Sequence, residues 1–572
     1  MSSAETLPTP ADLNAAPPVD RFTSRLAVVV CIGVLLAGCW LRWIALTTAG
    51  GMWRDEAHSL RMAADHSKPL IHDSFPVLWL GSLRIWLMIV GPTADEFILR
   101  LWGAFTGILL IAAALWAPWL RRTDPPAWAA TVLLALHPVV VVFGGQTRGY
   151  ALGVAFGLLM SGCLARLVLL GETRLRWGAA LLASIAAVQS SYTNSAIAAG
   201  VVGAGVLLHL IRRRPAAALR VLAIGLIAAV TVVPYIFTAF AATKKWAVMV
   251  KSPYTLPHYV GKIWEAIAQA GNLTAVIWIV GIGAVVLTLI VLLERTVSRR
   301  PLPVESAIPD GMTARESLDR VMYATLALVI GTGAVLAYHK FLSVPTQVWY
   351  QLPVLALWTF SVDLLWPVWL RGERARRLVI LSVVVLAVWN TWLVSTAARY
   401  RLTNMDLVAK LLEEKVSPDD LIVVRPFYTG ISFARYYHGS APWMTIPDMP
   451  PSQMPYGYIP MKAVMATAEQ VDRELDRIAR HLAGGGRVWI VSHLAPLEER
   501  EDAGRLPPAP NSPYGWSEAA YELFWSRQLT DVLRRNASAI GRYYPGVDYP
   551  INPFEHQPVF EVRGRRAESV SR

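Results

Sequence analysis

The sequence predicts an α-helical polytopic membrane protein with about eleven transmembrane helices and a C-terminal extracytoplasmic α/β domain. Three observations lead there. Of the 572 residues, 55% are hydrophobic and only 16% are charged, more apolar surface than a single soluble core of this length buries. Arginines gather in short clusters between long apolar runs, the bias of loops that stay on the cytoplasmic side. Past residue 397 the apolar runs shorten to strand length and charge becomes denser. The net charge of +13 is therefore a topological signal, and nucleic acid is not the expected partner. Cys31, Cys39 and Cys163 all lie inside apolar runs without CxxC or histidine neighbours, so neither disulfides nor zinc are expected.

Residues 1–24, rich in Pro and Ala, read as a disordered cytoplasmic tail. The transmembrane domain follows over 25–397. Its first span is placed at 26–47. Leu36-Ala37-Gly38-Cys39 matches a lipoprotein cleavage box, but the apolar run continues through Trp43 to Thr48, long enough to span, so it is read as a helix and not as a cleaved leader. Further spans are expected at 96–120, 127–144, 150–170, 177–193, 195–211, 221–241, 272–293, 321–338, 348–368 and 378–396. The run 75–91 is short and carries Arg84 at its centre, where burial in hydrocarbon costs about 2.5–3.5 kcal/mol. It is therefore laid in the outer interface. That choice puts Arg121-Arg122, Arg174 and Arg176, Arg212 to Arg214, Arg295 to Arg300 and Arg371 to Arg377 inside. It makes the loops 48–95, 145–150, 242–271 and 339–347 extracytoplasmic, with the N-terminus cytoplasmic, in a bacterial-type inner (plasma) membrane. Residues 398–572 form the extracytoplasmic domain, with strands at Leu421 to Val424 and Val488 to Val491 and helices near 404–416 and 466–482. Gly484-Gly485-Gly486 follows a helix and opens a strand, the reverse of a phosphate-cradling loop, and reads as a turn.

Chemistry concentrates in the outer loops. Asp55 and Glu56 stand in the first of them, followed by His58. Asp55 permits two readings: a cap for a helix through 56–64, or a general base for a hydroxyl acceptor. His72 and Asp73 precede the interfacial helix, which Pro76 opens. Asp55, Glu56, His58, His72 and Asp73 could together hold a divalent cation, although their spacing matches no metal motif. Gln146-Thr147-Arg148-Gly149-Tyr150 forms the outer corner between the third and fourth spans. A planar guanidinium at that depth suits a phosphate, or snorkels to lipid headgroups. Lys244, Lys245, His339 and Lys340 are further outer cations among aromatic residues, suited to an anionic ligand or to headgroups of membrane lipid.

An Asp-Glu pair after the first span, an acid before a Pro-led interfacial helix, and a Gln-x-Arg-x-Tyr corner after the third span resemble the GT-C superfamily of membrane glycosyltransferases. The branch is that of the dolichyl-phosphate-mannose protein mannosyltransferases and the bacterial lipid A aminoarabinose transferases. The resemblance implies a cell-envelope hexosyl- or pentosyltransferase, mannosyltransferase-like, that moves a sugar with inversion from a polyprenyl-phosphate donor to an extracytoplasmic hydroxyl of lipid, polysaccharide or protein. It implies Asp55 as the base, Glu56 as its neighbour, Asp73 as the second loop acid and Arg148 as a contact to the donor phosphate. Lys244, Lys245, His339 and Lys340 are the remaining phosphate candidates, with Tyr150 and Asn194 as other site candidates. Two departures stand out. Thr193-Asn194 replaces a Thr-His pair, and Trp349-Tyr350-Gln351-Leu352-Pro353 lacks the arginine expected before Leu-Pro. The alternative class is a polytopic transporter or lipid flippase, which calls for ionisable residues at mid-bilayer on broken helices; no span carries a carboxylate at its centre, Asp363 lying nearer the cytoplasmic end of the tenth.

Overall fold

A helix that is apolar all round satisfies its backbone internally and can leave one face in lipid. The first helix, Arg21–Thr48, does so: Val28, Val29, Ile32 and Leu36 are exposed, while Val34 and Leu41 pack inward. The computed structural model describes residues 21–67, 70, 76–121, 133–237, 254–298, 314–342, 346–369, 372–454, 458–496, 503–511 and 516–565. Among them, eight helices are long and apolar enough to cross a membrane: Arg25–Thr48, Glu96–Trp116, Tyr150–Leu169, Thr193–Ile211, Pro215–Tyr235, Arg315–Leu342, Val348–Leu365 and Arg377–Ala397. The chain is an integral membrane protein. Helix Arg174–Ser190 has 17 residues, and Leu273–Thr288 is a shorter apolar stretch of its helix. At Gly200 the helix Thr193–Ile211 meets Gly331 of Ala314–Leu342 so closely that a Cβ would strike backbone, the approach small residues permit between helices in lipid.

The expected span 127–144 is not one continuous helix. Residues 122–132 lie outside the described residues, and a new helix, Pro138–Gly144, starts after His137, whose Nδ1 accepts from the Val139 amide at 3.3 Å. Pro138 has no amide hydrogen to continue a preceding turn, so it restarts the helix at its first position.

Sidedness is visible in the loops. Arg212 pairs with Asp319 and Arg220 with Glu172, bringing three arginine-bearing ends to one face. The segment 54–96 begins and ends on the opposite face. The Arg54 amide donates to Glu555 at 2.9 Å, and the Tyr436 hydroxyl donates to Glu96 at 3.1 Å, both partners being in the C-terminal domain. Helix Val77–Val90, 14 residues and about 21 Å long, therefore leaves and returns on one side. Arg84 is not spent in lipid. Its guanidinium donates to the carbonyls of Ala63 (3.2 Å) and Asp65 (3.1 Å), capping helix Arg54–Ala64.

The C-terminal domain holds a five-stranded sheet of order β2-β1-β3-β5-β4: β1 Leu421–Val424, β2 Trp443–Thr445, β3 Arg487–Val491, β4 Ala537–Tyr543 and β5 Val559–Gly564. β2, β1 and β3 are parallel and β5 runs antiparallel between β3 and β4. The apolar β1 is buried throughout, as a parallel strand covered on both faces requires. Helices Met405–Lys415 and Asp472–Ala483 lie near the expected stretches, and Gly484 to Gly486 turn from the second of them into β3. The domain is seated on the loop that follows the first helix. Thr48 Oγ1 donates to Ala398 (2.9 Å), the Leu402 amide to Ala49 (2.8 Å), and Gly50 bridges Thr403. Gly50 has φ +63° and a Cβ there would collide with the Arg401 guanidinium, so glycine is needed for both conformation and approach.

Candidate active site

Helix Arg54–Ala64 opens after Trp53, which is extended and makes no side-chain cap. Asp55 and Glu56 thus occupy its first turn, favourable for negative charge, and Asp55 is not the cap. Successive residues of a helix point about 100° apart, and this separates the pair. Glu56 is fully buried against helix Glu96–Arg121. Arg100 Nη2 lies 2.7 Å from its Oε2 and Nε 3.1 Å from its Oε1, and the Thr147 amide donates to Oε1 at 3.2 Å. Arg100 also donates to the carbonyls of Gly50 and, at 2.7 Å, Gly51. The buried Arg100–Glu56 pair thereby ties the first outer loop, the second span and the 145–150 corner into one unit.

Asp55 turns the other way, and 29% of its side chain is exposed. Arg148 Nη2 lies 3.9 Å from Oδ2, and Arg54 Nε lies 3.8 Å from Oδ1. Arg148 is itself buried. It donates to Ser59 Oγ at 3.1 Å, and its guanidinium carbon sits 5.7 Å from the ring centres of both Trp79 and Tyr150. An aromatic wall continues from there: Tyr150 packs on Tyr350 (6.3 Å) and Phe143 (6.5 Å), Phe143 on Trp349 (4.5 Å) and Trp349 on Trp53 (6.2 Å). Gln146 and Gln351 are buried, with neither amide atom hydrogen-bonded among the described residues. Buried amides with capacity to spare suit the orientation of a polar ligand.

The C-terminal domain closes the open side. Arg54 lies 4.3 Å above the Tyr428 ring, and its Nε is 3.9 Å from Glu555 Oε1. Glu555 is fully buried and accepts from Ser432 Oγ at 3.0 Å. Burial pushes its carboxyl up to about 7, against the opposing pull of Arg54. Glu518 is also pushed up to about 7, by burial first and then by Glu522, with Arg54 opposing. Arg425 closes this group through a 2.8 Å pair with Glu522.

The structure brings Asp55, Glu56, Gln146, Arg148 and Tyr150 together, with His58 on the same helix. Asn194 is buried, its Nδ2 donating to Gly153 (2.8 Å) and Ala187 (3.0 Å) while its Oδ1 has no hydrogen-bond partner among the described residues. His339 stacks on Tyr259, with centroids 5.7 Å apart, and Lys340 donates to the Tyr254 carbonyl at 2.9 Å. His72, Asp73, Lys244 and Lys245 lie outside the described residues. Among the described residues no three His, Cys, Asp or Glu side chains come together as ligands for a metal ion; Glu56, one of the expected ligands, is held by Arg100. Sequence reasoning missed Ser59, Tyr428 and Glu555. Only the motif Trp53-Arg54-Asp55-Glu56 hinted at Arg54, and Glu555 lies 501 positions away from it.

No protein-family model matches the chain, and no curated protein matches it. Among solved structures it is similar to apo ArnT from Cupriavidus metallidurans, at 14% identity and TM-score 0.49 over 93% of this chain and 97% of that one. It is also similar to the archaeal oligosaccharyltransferase AglB from Archaeoglobus fulgidus, in complex with an inhibitory peptide and a dolichol-phosphate, at 12% identity and TM-score 0.45 over 82% and 70% of the two chains. For the arabinosyltransferase EmbB from Mycobacterium smegmatis the values are 14% identity and TM-score 0.33, over 65% and 40%.

Proposed function

We propose that this chain is a membrane glycosyltransferase that moves a hexosyl or pentosyl group, with inversion, from a polyprenyl-phosphate donor to an extracytoplasmic hydroxyl of a lipid, polysaccharide or protein. The observation that carries this reading is the meeting of a part-exposed carboxylate, Asp55, with a buried guanidinium, Arg148, 3.9 Å apart where the helical bundle ends and the C-terminal domain begins. One is a proton acceptor and the other a planar phosphate ligand, and the reaction needs both within one sugar's length.

The acceptor oxygen attacks the anomeric carbon as the bond from that carbon to the phosphate oxygen breaks. The electron pair of that bond leaves with the polyprenyl phosphate, and the acceptor's proton passes to Asp55. A single displacement inverts the anomeric centre. A phosphate leaving group needs no general acid, so Arg148 meets the departing charge and Asp55 is the base. Trp79 and Tyr150 hold the guanidinium in place, and Gln146 and Gln351 are placed to orient sugar hydroxyls. Lys244, Lys245 and Asp73 keep the roles their positions in the outer loops suggest, as further phosphate cations and a second acid. In this reading the acceptor enters beneath the C-terminal domain, on the extracytoplasmic side.

The test is sugar transfer from a polyprenyl-phosphate donor in liposomes. Asp55→Asn keeps size and polarity but cannot take a proton. Turnover should fall about 100- to 10,000-fold while the variant stays folded and binds donor. Near-normal transfer by the folded variant rejects the mechanism.

A further inference from the structure

Two arginine–carboxylate pairs stand side by side in the first outer loop, and they differ in closeness. Arg100 meets Glu56 at 2.7 Å, a direct charge-assisted hydrogen bond. Arg54 stands 3.8 Å from Asp55 and 3.9 Å from Glu555, an even division between two carboxylates that lets neither form a short bond. Nothing about Arg54 alone dictates that spacing. Its guanidinium carbon sits over the Tyr428 ring, 4.3 Å from the centroid, and its own backbone amide donates to Glu555 at 2.9 Å. The C-terminal domain therefore grips Arg54 from below through an aromatic face, from the side through a buried carboxylate, and at the main chain through a hydrogen bond. Ser432 fixes the other oxygen of Glu555 at 3.0 Å, so the grip is itself held in place. Glu518 is a further acid coupled to the Arg54 charge.

We propose that Glu555 is a positioning residue for Asp55: it draws Arg54 away so that this arginine steadies the carboxylate without covering the oxygen that takes the acceptor's proton. The inference rests on Asp55 being the base. If the Glu555 charge is removed, Asp55 becomes the stronger acceptor for Arg54. The 3.8 Å gap closes to a direct bond of about 2.8 Å, and a lone pair needed by the incoming hydroxyl is occupied. In this way a domain outside the membrane sets the geometry of a residue at the membrane edge.

The experiment is a double-mutant cycle on full-length protein in liposomes, reading turnover and donor KM above the pH of about 7 at which Glu555 ionises. Glu555→Gln keeps the acceptor for the Arg54 amide, and should lower turnover roughly 10- to 100-fold with donor KM unchanged. In an Arg54→Ala background the same substitution should change turnover less than about threefold, because Glu555 then has nothing to hold. Unchanged turnover in Glu555→Gln, or factors that multiply in the double variant, overturns the proposal. If Glu555→Gln fails to accumulate, Tyr428→Leu removes the platform under Arg54 while leaving every charge, and carries the same expected and overturning results. Asp55→Asn measured beside them separates the two failures. Full transfer by that variant rejects the reaction, whereas its loss together with normal Glu555→Gln turnover rejects only the positioning role.

Discussion

Asp55 and Glu56 are neighbours in sequence and opposites in structure. Glu56 faces the helical bundle, where Arg100 and the Thr147 amide engage its carboxylate. Asp55 faces the crevice under the C-terminal domain, where two guanidiniums stand near 3.9 Å without closing on it. The bundle side gives its acid a complete set of partners and thereby uses it as architecture. The crevice side leaves its acid, among the described residues, with only longer contacts to its side chain, the geometry the proposed base requires. The lesson is that an acidic pair at a membrane edge divides its labour by direction, about 100° of helix rotation apart.

Three measurements break or sharpen that contrast. The largest effect is expected at the architectural acid. Glu56→Gln strands the buried Arg100 charge, and should cost about 3–5 kcal/mol of stability, seen as a large drop in melting temperature and in folded yield. Asp55→Asn loses only two long, part-exposed pairs and should stay within about 1 kcal/mol of wild type in the same melt. Equal melting temperatures for the two variants would erase the distinction.

A smaller effect is expected at Arg148. Lysine keeps the charge but loses the fork that can bond two phosphate oxygens at once. Arg148→Lys should therefore weaken donor binding by roughly 10- to 100-fold, the value of one hydrogen bond to a charged group, with a smaller change in turnover. Unchanged affinity for the polyprenyl donor would return Arg148 to a role in headgroup contact or loop packing.

The smallest effect belongs to the crevice's other wall. Glu555 and Glu518 are pushed from an ordinary 4.5 up to about 7, by burial above all. Between those values the folded protein keeps protons that the unfolded chain has released, so these acids make stability fall as pH rises from about 4.5 to about 7. The slope of melting temperature against pH over that window should shift in the positive direction in Glu555→Gln relative to wild type, because one falling contribution is removed. An unchanged slope would mean that Glu555 does not titrate there.

Much of this was legible in the chain. Apolar run length and the placement of arginine clusters predict the helices and the return of 54–96 to one side, because hydrocarbon thickness and the cost of burying charge act on every stretch locally. The 127–144 run shows the limit: hydropathy averages over Pro138, whereas a helix cannot pass through a residue without an amide hydrogen unless its neighbours make up the loss. Asn194 shows another. A polar residue in the position of a motif histidine reads as part of a site, and nothing local in the sequence tells that its Nδ2 bonds the carbonyls of Gly153 and Ala187 while its Oδ1 is left without a partner among the described residues.

The sequence by itself determined that this is a membrane protein with an α/β domain at its C-terminal end, and that acids and an arginine stand in the loops between its apolar runs. Only the tertiary structure decided which of two adjacent acids faces the crevice, that Arg148 rather than Lys340 stands beside it, and that Glu555 reaches Arg54 from 501 residues away. The reason is range. Periodicity, charge bias and turn chemistry are properties of a dozen consecutive residues and survive in any chain that carries them. The spacing of a carboxylate from a guanidinium to within an ångström depends on helices packing at Gly200 and Gly331, on Gly50 admitting Arg401, and on a domain docking onto a loop. Those contacts exist only once the whole chain has closed on itself.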